Sequence, residues 1–138
     1  MMKRNNLILL LAAWLMAACD SSTSMSDLSE VEGVWELQAF ELNDGSVQQV
    51  PDTQTFTLSF EADGSVHAEV DCNRCNGSYE TEGNSITMGL MACTLAACPP
   101  GSLDHQFQTA LGSATSFVRT GVELSVRYAG GTMRFRAS

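Results

Sequence analysis

Alternating apolar and polar residues, interrupted by glycine turns, are the feature that most constrains the fold of this chain. Phe56, Leu58 and Phe60 alternate with threonine and serine, which is the two-residue period of a strand with one buried face. Asp63-Gly64 follows, and this dipeptide is typical of hairpin turns. The alternation resumes at Val66, so the segment predicts two antiparallel strands that share one core-facing side.

The same pattern recurs along the chain and predicts about eight short strands. In the first of them the period shifts by one residue between Leu37 and Phe40. The apolar positions of the eight predicted strands lie at residues 35–42, 56–60, 66–70, 79, 86–88, 117–118, 122–126 and 133–135.

One helix is predicted after the turn at residues 99–101. Ser102 is a suitable N-cap, and Asp104 lies in the first turn, where the helix dipole favours an acid. Phe107 and Leu111 belong to an apolar stripe at helical spacing, which we expect in the core. The predicted fold is mostly β (α+β), with about eight strands in a strongly bent antiparallel sheet or small barrel and one helix packed on it.

Residues 1–18 have the organisation of a secretory signal. Lys3 and Arg4 precede an apolar run at residues 7–18, which is shorter than the roughly 20 residues that span a bilayer. The small residues before Cys19 resemble the lipobox of bacterial lipoproteins, in which the cysteine thiol takes a diacylglycerol and becomes the mature N-terminus. We expect cleavage before Cys19 and a lipid on that residue; the alternative is an ordinary signal peptide with an incidental cysteine.

Residues 19–30 are small, polar and acidic, so they predict a tether between the lipid and a domain at residues 31–138. Asp20 resembles the signal that keeps lipoproteins of enteric bacteria in the inner membrane, but it also fits as one more acid of the tether. The expected location is therefore the cell envelope, facing the periplasm, and the choice between inner and outer membrane stays open.

The acidic balance of the chain restricts its partners. Loss of Lys3 and Arg4 with the signal takes the formal net charge from −9 to −11. Such a surface disfavours nucleic acids, which bind basic patches, and gives no charge attraction to anionic lipids. Membrane attachment is expected through the lipid on Cys19, and the domain is expected to be a monomer.

Cys72, Cys75, Cys93 and Cys98 form an even set in an exported chain, which predicts a disulfide framework. If the preceding strand continued, the Cα atoms of Cys72 and Cys75 would lie about 10 Å apart, beyond the roughly 7 Å limit for a bridge. Each is therefore expected to pair with Cys93 or Cys98, and both such connectivities stay open at this point.

Two alternatives use the same cysteines. Four thiolates could hold a structural zinc ion, although an oxidising compartment works against free thiolates. Cys72 and Cys75 could instead form a redox CxxC pair, but that chemistry normally uses a helix start. Here the motif is predicted to leave a strand and enter a turn at Asn76-Gly77.

Four segments match the signatures of a known family. Residues 72–79, CNRCNGSY, fit the pattern C-N-x-x-x-G-x-Y, and residues 94–99, TLAACP, fit T-x-x-A-C-P. Residues 33–37 resemble the opening G-x-W-x-L, and residues 60–64 resemble an F-x-x-D-G hairpin. From residue 31 to its end, the chain thus resembles the META domain family.

The chain departs from the family pattern at Asp71, where glycine is usual, and in the additional Cys75 and Cys93. The resemblance implies a Cys72–Cys98 bridge, which leaves Cys75–Cys93 as the second one. It also implies a conical antiparallel barrel capped by a helix, similar to the lipoprotein pilots of secretins. Members include heat-inducible lipoproteins linked to novobiocin resistance and a protozoan protein linked to secretion and virulence, and no catalytic residues are implied.

No constellation of nucleophile, acid and base is evident, so an enzyme is not expected, and neither is a metal or other cofactor. His67 and His105 are predicted to face water, and Met88 and Met91 to fill the core rather than bind copper. The leading hypothesis is a non-enzymatic envelope lipoprotein, a binding or chaperone-like module in envelope stress or antibiotic tolerance. Its partner would be an apolar ligand inside the barrel or an envelope protein; the alternatives are the redox protein and a structural surface lipoprotein.

Overall fold

The computed structural model describes residues 30–138. The predicted signal, the predicted lipidation site at Cys19, Asp20 and all but the last residue of the predicted tether lie outside the described residues. The elements are β1 (Gly33–Leu42), β2 (Val47–Gln49), β3 (Phe56–Phe60), β4 (Ser65–Val70), β5 (Asn73–Glu82), β6 (Ser85–Met88), β7 (Ala92–Cys93), α1 (Asp104–Gly112), β8 (Ser116–Thr120), β9 (Glu123–Tyr128) and β10 (Gly131–Ala137).

Eight of the strands close into an antiparallel barrel. Their order is β10-β9-β8-β6-β5-β4-β3-β1, and β1 pairs with β10 to complete the ring. The two short strands lie beside this ring, β2 on β1 and β7 on β5. The prediction of a mostly β fold with eight strands and one helix is therefore confirmed.

A bulge in β1 explains the shift of its hydrophobic period. Leu37 pairs with Phe135 of β10 and Ala39 with Arg134, so Gln38 has no counterpart in the register. One extra residue reverses which face the following side chains occupy. Both Leu37 and Phe40 are consequently buried, as the sequence pattern indicates.

Apolar side chains from the strands and the helix form one core cluster inside the barrel. Phe107 of α1 packs against Phe56 and Phe135, with ring centroids 5.1 and 6.3 Å apart. Trp35 is buried where β1 begins, and its indole N–H donates a hydrogen bond to the Val31 carbonyl oxygen (2.8 Å). Among residues 30–138 no helix is both long and apolar enough to cross a bilayer.

Three local predictions were wrong. Asn76-Gly77 is not a turn but lies within β5, and the chain reverses instead at residues 71–72. Val122 lies in the turn between β8 and β9 rather than in a strand. The N-cap of α1 is Leu103, not Ser102; the Ser102 hydroxyl still accepts a hydrogen bond from the Asp104 N–H (3.2 Å).

Candidate functional site

Two disulfides join β5 and the turn before it to the segment that follows β6. Cys72 is bonded to Cys98, with Cα atoms 5.5 Å apart, and Cys75 is bonded to Cys93, with Cα atoms 4.0 Å apart. These are the pairs that the family resemblance implies, and Cys72 is not bonded to Cys75. Bonded sulfur atoms offer no thiolates to zinc or to a CxxC exchange reaction. Two disulfides also indicate an extracytoplasmic location.

Asn73 holds the same segment through its buried side-chain amide, of which 3% is exposed. The amide oxygen accepts hydrogen bonds from the Ala96 N–H (2.8 Å) and the Thr94 hydroxyl (2.9 Å). The amide nitrogen donates to the Ala96 carbonyl oxygen (3.0 Å). Arg74 adds two backbone bonds, because its N–H donates to the Thr94 hydroxyl and its carbonyl accepts from the Thr94 N–H.

The remaining residues of the first signature also position neighbouring chain. A Cβ added at Gly77 would lie 2.8 Å from the Leu90 carbonyl oxygen, so only glycine lets the segment pass this close. The Tyr79 hydroxyl donates to the Glu61 carbonyl oxygen (2.7 Å) and ties β5 to the β3–β4 hairpin. Burial raises the pKa of Tyr79, and the nearby carboxylates of residues 32, 61 and 63 raise it further. The signature residues thus serve to hold structure in place rather than to react.

The segment held in this way, residues 89–100, is called the clamped loop. It presents Leu90 and Leu95 almost entirely to solvent, 98% and 96% exposed. Residues 83–103 contain no Asp, Glu, Lys or Arg, although 17% of the whole chain is charged. The predictions did not include this surface. The charge-free run was the sequence signal that could have indicated it.

A cleft opens beside the clamped loop, where the barrel wall is least complete. The paired register of β6 and β8 is limited to Ser85 and Ser116. The cleft near this seam has a volume of about 440 Å³ and is called the seam cleft. Its lining is apolar except for Gln108 of α1; the other lining residues are Cys75, Met88, Gly89, Leu90, Met91, Cys93, Leu111 and Gly112.

A larger groove of about 790 Å³ runs between the β3–β4 turn and the strands β5 and β6. Asp63, Glu80 and Glu82 lie along it together with hydroxyl side chains. Asp63 also shapes the turn, because its carboxylate accepts hydrogen bonds from the Ser65 hydroxyl and N–H. The same hydrogen bonds lower the pKa of the Asp63 carboxyl. The acidic and hydroxyl side chains of this groove suit a polar ligand, so the seam cleft is the better candidate for an apolar one.

The predicted surface histidines are both exposed. His67 lies on β4 against the amide of Asn76, and His105 lies in the first turn of α1. Met88 and Met91 pack partly against the core and also line the seam cleft. Within residues 30–138 no group of three or more His, Cys, Asp or Glu side chains is arranged to hold a metal ion.

A sequence model described as the META domain matches residues 26–138. A comparison with curated proteins gives no significant match. The chain is similar to a protein from Burkholderia xenovorans solved by NMR, at 22% identity and a TM-score of 0.67, covering 80% of this chain and 86% of that one. It is also similar to a crystal structure of a lipocalin-like protein from Bacteroides uniformis, at 21% identity and a TM-score of 0.58, covering 79% and 99%. At such identities the likenesses show the fold alone, a lipocalin-like barrel.

Proposed function

This chain belongs to the META domain family, and from that premise we propose that it is a lipid-anchored, non-enzymatic binding module of the cell envelope. The seam cleft is its ligand site, and the ligand is an acyl chain or another extended apolar group. The cleft borders the core, because Cys75 and Leu111 of its lining belong to the core cluster.

The lining of the seam cleft is the observation that carries this proposal. Small-molecule sites are typically concave, largely apolar and about 300–1,000 Å³ in volume, with a few polar groups that fix orientation. The cleft has a volume of about 440 Å³ and one polar lining side chain, Gln108. The thioethers of Met88 and Met91 are unbranched and adaptable, which suits an apolar ligand of variable shape.

The anchoring part of the proposal rests on the sequence at Cys19. The apolar run, the small residues and the cysteine support lipidation, and the two disulfides support export to an oxidising compartment. The non-enzymatic part is supported by the signature residues, since Asn73 and Tyr79 are engaged in structural hydrogen bonds. His67 and His105 lie on different elements, and His67 is engaged with the side-chain amide of Asn76.

Binding of a neutral apolar fluorophore, N-phenyl-1-naphthylamine, to the mature chain tests the ligand site. We expect saturable binding with one site per chain. Gln108→Trp should abolish it, because a large ring from this half-buried position would fill the cleft. Thr109→Trp is the matched control, since Thr109 is exposed on the same helix and does not line the cleft. Absence of saturable binding to the wild-type chain would contradict the proposal.

The biological setting we propose is envelope stress or antibiotic tolerance, which the family resemblance supports. Deletion of the gene should sensitise its host to heat or novobiocin, and the wild-type gene should restore tolerance. The Gln108→Trp gene should fail to restore it while the Thr109→Trp gene succeeds. If both variant genes restored tolerance equally, the role in stress tolerance would not depend on the seam cleft.

A further inference from the structure

The clamped loop presents apolar side chains that it cannot withdraw. Thr94 and Ala96, on either side of Leu95, are both hydrogen-bonded to the amide of Asn73. Gly89, next to Leu90, donates its N–H to the Ser78 carbonyl oxygen (2.7 Å). In an unrestrained loop such leucines would fold back onto the core. Here the backbone is fixed, so 98% and 96% of the two side chains stay exposed.

The charge distribution around the loop favours one kind of partner surface. The whole chain has a formal net charge of −9, yet residues 83–103 carry no charged side chain. The nearest cation is Arg74, which is exposed on β5 beside Thr94. Within the described part of the chain, Arg74 forms no ion pair. Arg74 lies opposite Glu69 in the β4–β5 register, so the region offers one exposed guanidinium rather than a basic patch. Apolar tips beside an exposed guanidinium match a phospholipid surface, where acyl chains lie beneath anionic phosphates.

A lipid on Cys19 would hold the domain, and with it the loop, within reach of such a surface. Cys19 and Glu30 are separated by 11 residues, which can span at most about 40 Å. A lipid on Cys19 therefore holds the domain within that distance of a bilayer. Confinement of this kind raises the effective concentration of a weak second contact by orders of magnitude.

A protein partner fits these observations less well. A stable protein interface usually needs about 800 Å² from each side. Shallow insertion into a bilayer needs only a few apolar tips. We infer that residues 89–100 dock on the lipid bilayer, with Leu90 and Leu95 among the acyl chains and Arg74 against the phosphates.

Docking in this orientation deepens the proposed function, on which it rests. Leu90 forms part of the rim of the seam cleft, so the cleft would open towards the lipid phase. Its ligand class is then an amphiphile that partitions into membranes, such as a fatty acid or a single-chain lipid. Such a ligand could enter without passing through water.

Depth-dependent quenching tests the docking. The mature, lipid-anchored chain is reconstituted into phosphatidylethanolamine and phosphatidylglycerol vesicles that contain lipids brominated on the acyl chain. Leu95→Trp should be quenched strongly. The matched control Val47→Trp, exposed on β2, should not, and the native Trp35 is buried and gives a constant background. Equal quenching at positions 95 and 47, or none at either, overturns the inference.

A serine variant separates this inference from the proposed function. Leu95→Ser, at a leucine that does not line the seam cleft, should weaken the docked state by roughly tenfold or more, measured as lost quenching of a tryptophan placed at Ala97. Binding of N-phenyl-1-naphthylamine should be retained. If the wild-type chain bound the fluorophore but did not dock on vesicles, the ligand-site proposal would stand and the membrane contact would be rejected. Docking without fluorophore binding would reject the ligand site. If an envelope protein, and not vesicles, shielded a tryptophan at position 95 from solvent, the lipid partner would be rejected.

Discussion

The β3–β4 hairpin and the clamped loop flank the same strand, β5, and they are held to it in different ways. The hairpin pairs with β5 along the whole of β4, from Ser65–Ser78 to Val70–Asn73. The loop pairs with β5 at two register positions, Cys75–Cys93 and Asn76–Ala92. The hairpin buries every second side chain, whereas the loop exposes both of its leucines.

The difference shows how a small domain can present apolar side chains without collapsing around them. Many weak contacts fix the hairpin, and they include burial of its own apolar residues. The loop is fixed by two disulfides and one buried amide, so its conformation does not depend on burying Leu90 or Leu95. The proposed docking surface needs a conformation that does not depend on burying its own apolar side chains. The cost is that stability in the loop region is concentrated in a few groups.

Loss of the outer bridge should have the largest effect. The Cys72–Cys98 bond closes a separation of 26 residues, and loop-closure entropy for that length gives about 3–4 kcal/mol. Cys72→Ala with Cys98→Ala is therefore expected to lower the free energy of unfolding by about 3 kcal/mol. The expected loss lies at the lower end of that range because the Cys75–Cys93 bridge already restrains the unfolded chain. Urea unfolding of the mature chain measures the loss.

The matched change in the hairpin is Asp63→Ala. It removes the hydrogen bond from the Ser65 N–H to the Asp63 carboxylate (2.9 Å) but leaves the strand register intact. We expect a loss of less than about 1 kcal/mol. If the two changes cost the same, the contrast between concentrated and distributed stabilisation is wrong.

Asn73→Ala should have the next largest effect. The change removes both hydrogen bonds to Ala96 and leaves a hole in a buried site, so we expect a loss of about 2 kcal/mol. Hydrogen exchange of the Ala96 amide should rise sharply in the variant. Asn76→Ala is the control on the same strand, because Asn76 is exposed, and it should cost less than about 0.5 kcal/mol.

The two regions also differ in how far their structures could be predicted from the sequence. Alternation and glycine turns are local signals, and they correctly indicate the hairpin, the eight strands of the ring and the shift of the apolar period in β1, which the structure explains as a bulge. The clamped loop has no period of its own, because it follows β5 through contacts made by distant residues. Asn76-Gly77 was misread as a turn for the same reason: tertiary pairing with β4 and β7 overrides the local turn preference.

The candidate site was harder to predict than the fold. Its lining combines β5, β6, the loop and α1, and no local pattern brings residues 75 and 108 together. The cysteine spacing disfavoured a bridge within the CxxC but did not choose between the other two connectivities. That choice came from the family resemblance. The uncharged run at residues 83–103 was visible in the sequence, but its exposure depends on Asn73, whose role is evident only in three dimensions.

Tyr79→Phe tests the link between the two regions, since the hydroxyl joins β5 to the hairpin. Loss of this hydrogen bond should cost about 1 kcal/mol near neutral pH. The pKa of Tyr79 is raised above its ordinary value of 10.0, first by burial and then by nearby carboxylates. Stability is therefore complete below pH 10, where tyrosine is protonated in both states, and falls as pH rises through the higher pKa of the folded state.

The variant should lose part of that alkaline decline, measured as the change in unfolding free energy between pH 9 and pH 11. Tyr128→Phe is the control, because burial also raises the pKa of Tyr128 but its hydroxyl does not tie β5 to the hairpin. An unchanged pH dependence in Tyr79→Phe would contradict the assignment.

Controls aside, the smallest expected net change is that of Asp71→Gly, in the turn between the two regions. Asp71 has φ +54°, the left-handed conformation that favours glycine, and its carboxylate accepts a hydrogen bond from the Ser102 hydroxyl (2.6 Å). Asp71→Ala keeps the strain and loses the bond, so it should cost about 1 kcal/mol. Asp71→Gly loses the same bond but removes the strain, so its net change should stay within about 0.5 kcal/mol.

A double-mutant cycle with Ser102→Ala separates the two contributions at Asp71. Ser102→Ala should destabilise the wild-type chain by about 1 kcal/mol and the Asp71→Gly chain by clearly less, because the partner of the hydroxyl is already gone. A coupling near zero would mean that the hydrogen bond does not offset the backbone strain. The aspartate would then be a destabilising departure from the family's glycine, tolerated because the Cys72–Cys98 bridge next to it holds the turn.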